Sequence, residues 1–284
     1  IWLPFSIQSG MLASFFLWIG YEVREQELLN RVKWYHYFTA QIIFLATIFY
    51  NYSENGFVVA YLNDIIFSIL SGLSGCLLLY LISFHLKSLK ILPWIGRNSL
   101  YILCAHLFSM ETMGFYLNQI INQFPLSGNS SVWARIILEI LFALMAAVLM
   151  KAVIKTISYL HTKLPQYDKS VNKSAYIARD SSIDIARGIL ILLMIVAHFS
   201  IDKTLRTIIY SFHMVAFVVF SGYFYKKPKD IFRTLLHIFK RFLIPYIIFV
   251  IGTLLLNISN WSEIYLKTAI QQYILGMSFS KNIL

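Results

Sequence analysis

Three residues in the second half of the chain stand out by type and place. Arg187 and His198 share one apolar run, "IDIARGILILLMIVAH", and His213 interrupts the next, "YSFHMVAFVVF". An ionisable group inside a greasy segment costs about 3 kcal/mol on insertion scales, so each reads as a functional position by default. Arg187 and His198 are 11 residues apart, close to three turns of a helix. That spacing puts them on one face, about 16 Å apart along the axis. Asp184 falls on nearly the same face, three residues before Arg187, within reach of an i,i+3 ion pair. Only "IDKTLR" separates the two runs, so they fold back as an antiparallel hairpin. Counted down from its outer end, the two imidazoles lie at similar depth, within about 5 Å by helical rise. Two such rings near an external loop form a candidate proton-transfer centre.

Each residue also has a plainer reading. A membrane histidine can simply hydrogen-bond a neighbouring helix. Arg187 can be an anchor that snorkels to the cytoplasmic surface. The shared face and matched depth favour function.

Further on, "KKPKDIFRTLLHIFKRFLIP" carries six basic residues against Asp230. Such a loop can meet anionic lipid. Alternatively, Arg233, Lys240 and Arg241 hold the phosphates of a cytoplasmic donor, since Arg233 and Arg241 are eight apart and share a helical face. In the first half, "ILPWIGRNSLYILCAHLFSMET" places a basic, glycine-containing turn before an apolar run. Asn98 or Ser99 is the expected helix cap there. His106 and Glu111, five apart, point in different directions. Arg135 and Glu139 form an i,i+4 pair, read as structural.

These residues must be positioned by a particular kind of scaffold. Of the 284 residues 58% are hydrophobic and 17% aromatic, while only 13% are charged. A soluble globule carries nearer a quarter charged residues, so the chain reads as an all-α polytopic membrane protein. About eight spans of bilayer length are legible: 3–21, 36–51, 64–84, 99–117, 132–152, 183–200, 206–224 and 242–260. A ninth stretch, 264–276, is amphipathic and fits the interface better. The two cysteines, Cys76 and Cys104, lie in apolar runs and read as packing residues.

The net charge of +11 raises nucleic acid as a partner. Its distribution argues against that. All but five of the 24 basic residues (Arg135, Lys203, Arg206, Lys267 and Lys281) fall in alternate loops, the positive-inside pattern, which places both ends outside. The long polar stretch 161–182 reads as a cytoplasmic linker between a five-span block, 1–160, and a three-span block, 183–284. No phosphate-binding loop, dinucleotide fingerprint, zinc pair or nucleophile elbow is present, and no metal is expected.

Taken together, the motifs resemble the integral-membrane acyltransferase family three, which includes polysaccharide O-acetyltransferases and fucose 4-O-acetylase-like proteins. Arg187 and His198 match its arginine, ten residues, histidine signature. Phe212, His213 and Met214, then Ser221, Gly222 and Tyr223, resemble its second span, with Val215 standing where the family usually has proline. "KRFLIPYIIF" is similar to the start of its third span. Gly96, Arg97, Asn98, Ser99 and His106 resemble a late motif, and "LPFSIQSGMLASFFLWIGY" a middle span. The late motifs precede the early ones here. The chain, which opens without a methionine, therefore resembles the back half of one unit followed by the front half of a second, as in a longer tandem protein.

The resemblance implies transfer of an acyl group, usually acetyl, from cytoplasmic acyl-CoA to a hydroxyl of an extracytoplasmic glycan at a bacterial plasma membrane. His198 is then the base or transient acyl carrier, His213 assists, and Arg187 positions the donor. Arg233, Lys240 and Arg241 bind its phosphates. Asp184, Arg97, Asn98, Ser99 and His106 bind substrate or hold structure. The expected partners are membrane lipid and the glycan, and also further copies or the complementary half-units. Two other readings are a proton-coupled transporter, with Asp184, Arg187 and His198 as its relay, and an inactive fragment of a tandem enzyme.

Overall fold

The computed structural model describes residues 7–50, 65–110, 119–121, 123, 128–161, 180–199 and 202–225, with 232, 236, 247 and 251 as single positions. Among these residues the structure is helical, with no strand. The helices are α1 (Ile7–Glu25), α2 (Trp34–Tyr50), α3 (Ile65–His85), α4 (Ile91–Arg97), α5 (Ser99–Phe108), α6 (Asn129–His161), α7 (Ser181–His198) and α8 (Lys203–Tyr223). Four of them are long and apolar enough to cross a bilayer: α3, α7, α8 and Asn129–Val153 of α6. The chain is a multi-pass, all-α membrane protein. The expected spans at 242–260 and 264–276, and most of the 161–182 linker, lie outside the described residues, as does the end of the span expected at 99–117.

Local chemistry sets the helix starts. Asp202 precedes α8 in extended conformation, and its Oδ1 accepts the Thr204 N–H at 3.0 Å, satisfying one of the amide groups a helix start leaves open. Asp180 does the same for the Ser182 N–H at 2.9 Å. The segment expected as a glycine-containing turn before α5 is instead the short helix α4. Asn98 joins it to α5, but its side chain caps neither helix start: Nδ2 donates back to the Trp94 carbonyl at 2.7 Å.

Large apolar side chains lie exposed along α2 and α6, among them Phe38, Phe49, Leu141, Met145 and Leu149. In water such faces would be an association hazard. In a bilayer they are the solvent boundary, because lipid tails are as apolar as leucine.

The chain divides into two compact units, Ile1–Ile82 with Val196–Leu284, and Ser83–Ile195. In the first, α1 and α8 meet backbone to backbone. A Cβ on Gly20 would run into the Val219 carbonyl, and one on Gly222 into the Leu17 carbonyl. Nearer the start of α8, Gly72 of α3 receives Val215, Gly75 receives Phe212, and Ser71 Oγ donates to the Ser211 carbonyl at 3.2 Å. Small residues serve this purpose in membranes, where close packing and interhelical hydrogen bonds replace the hydrophobic drive. Arg24, at the end of α1, donates to the carbonyls of Tyr223 and Tyr225, closing the C-terminal end of α8. In the second unit, Gly96 of α4 and Gly188 of α7 make the equivalent approach: a Cβ on either would strike the Asp184 or Leu92 carbonyl.

Candidate active site

The Gly96–Gly188 approach explains the first cluster. It lays the "GRNS" stretch along the first turns of α7, whose Ile183, Asp184, Ile185 and Ala186 are fully buried. Arg97 Nε meets Asp184 Oδ2 at 3.1 Å, with the carboxylate inaccessible and the arginine side chain 56% exposed. The pair therefore spans from the interior to the surface. Arg187, expected to pair with Asp184 at i,i+3, directs Nη2 to Ser99 Oγ at 3.2 Å. The i,i+3 spacing is real, but among the described contacts the acid takes a guanidinium from a segment 87 residues earlier. Four of the expected site residues, Asp184, Arg97, Arg187 and Ser99, thus do come together. Asn98 sits among them, but its amide is used locally.

The second cluster was not expected. Glu139 of α6, almost completely buried, accepts from Ser109 Oγ at 2.7 Å through Oε2, and its Oε1 lies 2.9 Å from His106 Nδ1. Spacing placed Arg135 beside Glu139 at i,i+4 and gave His106 no partner; Glu111, read as pointing away from His106, lies outside the described residues. The actual partners are 33 residues apart. Buried charge is tolerated only when paired and hydrogen-bonded, and this trio meets that condition. The signal in the sequence was a glutamate and a histidine, each isolated in its own apolar run.

The third cluster contains the two expected imidazoles. His198 is the last residue of α7 and is exposed, whereas His213 lies within α8 and is only 6% exposed. Helix α8 begins at Lys203, before the expected 206, so His213 lies further from the hairpin along its own helix than His198 does. Between them stands Tyr210. Its ring centroid is 6.3 Å from His198, nearly edge-on at 70°, and 5.1 Å from His213, tilted by 30°. Sequence reasoning passed over Tyr210, although it stands three residues before His213, on the same side of the helix.

The hydrogen bonding of His213 decides its chemistry. Its Nδ1 lies 3.0 Å from the Ile209 carbonyl. A carbonyl can only accept, so Nδ1 carries the hydrogen, and in the neutral ring the lone pair falls on Nε2. This is the tautomer a general base needs, fixed by the backbone of the preceding turn. Arg187 and His198 stand on one uninterrupted helix. Arg233, Lys240 and Arg241 lie outside the described residues. No group of three or more potential metal ligands occurs among the described residues.

Comparison with known proteins supplies the context. Residues 180–275 match a family model described as an acyltransferase domain. The match takes in Asp184, Arg187, His198, Tyr210 and His213, and leaves Arg97, Ser99, His106 and Glu139 outside. No curated protein and no solved structure matches the chain. The helical hairpin bearing the imidazoles lies within the segment, residues 180–275, that is similar to this acyltransferase domain.

Proposed function

We propose that the chain takes part in transferring an acyl group, most simply acetyl, from cytoplasmic acyl-CoA to a hydroxyl of a glycan outside a bacterial inner membrane. The observation that carries this reading is the His198–Tyr210–His213 row within the matched segment, with one imidazole exposed and the other locked in the tautomer of a base.

In this scheme the acceptor hydroxyl approaches the exposed His198 and gives its proton to an imidazole as the oxygen attacks the thioester carbon. The C–S bond breaks, and the thiolate leaves as CoA after taking up a proton. An imidazole, with an unperturbed pKa of ~6.5, can hold the transferred proton at neutral pH. His198 serves as the base or transient acyl carrier and His213 assists. Arg187, held against Ser99, positions the donor or balances its charge. Arg233, Lys240 and Arg241 are assigned to the CoA phosphates on the strength of charge and spacing. The arrangement of late motifs before early ones supports reading the chain as two half-units of a tandem enzyme. Copies of the chain or complementary half-units would then complete the bundle.

The test is His198→Ala. Acyl transfer to the cell-envelope glycan should fall to background, a loss of at least about 100-fold for a group central to proton transfer, while the protein stays in the membrane fraction in normal amount. Retained transfer would remove His198 from the reaction.

A further inference from the structure

We propose that Tyr210 is the positioning residue of the imidazole couple: its ring fixes the orientation of His213 and keeps it in register with His198. The proposal rests on the acyl-transfer reading for its consequence, but its geometry stands separately.

A histidine ring has two torsions to settle. The hydrogen bond from Nδ1 to the Ile209 carbonyl ties down one edge of His213. The Tyr210 ring, tilted by only 30° at 5.1 Å, covers its face. Contact on one edge and one face leaves the imidazole little freedom to turn, so the direction of the Nε2 lone pair is set. The same tyrosine presents itself to His198 at 70° and 6.3 Å, within the separation at which aromatic rings attract edge to face. His198 closes its helix, where the chain is least constrained by a hydrogen-bonded ladder. One aromatic side chain therefore contacts both imidazoles, which stand on different helices.

The plainer reading is an interfacial anchor, since tyrosines gather at membrane surfaces. An anchor, however, turns its ring toward the headgroups. Tyr210 is partly buried and its ring meets both imidazoles. The contacts to both imidazoles are made by the ring, so phenylalanine should substitute and alanine should not. Small misplacements of a reacting group can cost large factors in rate.

The experiment uses the full chain in its membrane, with diethylpyrocarbonate as the probe and mass spectrometry to read carbethoxylation at each histidine. In the unaltered protein and in Tyr210→Phe, His198 should react and His213 stay protected. In Tyr210→Ala, His213 should react about 10-fold faster or more. The same membranes, with their native glycan, are assayed for thiol release from acetyl-CoA. Tyr210→Ala should lower kcat about 10-fold with KM for acetyl-CoA unchanged, and Tyr210→Phe should restore it. An unchanged carbethoxylation pattern in Tyr210→Ala overturns the proposal, as does a rise in KM at constant kcat or a failure of phenylalanine to rescue. If the unaltered protein releases no thiol, the acyl-transfer reading fails. The carbethoxylation pattern then still decides whether Tyr210 orients the rings.

Discussion

Two buried imidazoles in this chain are held by different partners. His106 lies against the Glu139 carboxylate, with Ser109 on the other oxygen, while His213 donates to a backbone carbonyl and packs its face on Tyr210. The first imidazole is held by a side chain from another helix, whose second oxygen is taken by Ser109. A carbonyl cannot accept a proton, so anything His213 gains must come from elsewhere and pass through Nε2. The first arrangement is closed, an internal fastening between α5 and α6. The second lies beside Tyr210, whose ring also meets the exposed His198. A histidine in a membrane helix is thus not informative by type; its bonding partner separates a fastening from a candidate base.

That contrast can be broken experimentally. The largest expected effect is on His213→Gln, which should cut acyl transfer about 100-fold while leaving the unfolding temperature of the detergent-solubilised protein nearly unchanged. Glu139→Ala should do the reverse. Removing one member of a buried pair costs on the order of 3 kcal/mol, read as a lowered unfolding temperature, while protein that remains folded retains its turnover. If Glu139→Ala abolishes turnover at full stability, His106 belongs to the chemistry and the distinction collapses. The smallest effect is expected at Arg24→Gln. It removes a charged donor from the carbonyls of Tyr223 and Tyr225 and should cost about 1 kcal/mol of stability. A drop in activity larger than this loss of stability implies would mean that the end of α8 is coupled to the imidazole row.

Much of the scaffold was legible in the sequence. The runs read as 64–84, 183–200 and 206–224 became α3, α7 and α8 with ends displaced by only a few residues, because twenty apolar residues in lipid have little choice but helix. The arginine–histidine face of α7 followed from helical pitch alone. The pairing of distant elements was not legible. Periodicity tells which residues of a helix share a face, but not which neighbour that face meets. Hence the i,i+3 and i,i+4 spacings pointed to Arg187 for Asp184 and to Arg135 for Glu139, but gave no sign of Arg97 beside the first acid or of His106 and Ser109 beside the second. Tyr210 escaped notice for a related reason. Tyrosines are plentiful in this chain, 18 in all, and only the fold distinguishes the one that lies between two histidines.

The crossing of α1 and α8 at Gly20 and Gly222 has a further consequence, for inheritance. A leucine in a packed seam can drift to isoleucine or methionine by small steps, each nearly neutral. Here main chain rests on main chain from both directions, and no residue is smaller than the one already present. Neither position has a gradual route of change. Descendants of this sequence are expected to vary freely around that point of contact while the two positions themselves stay as they are.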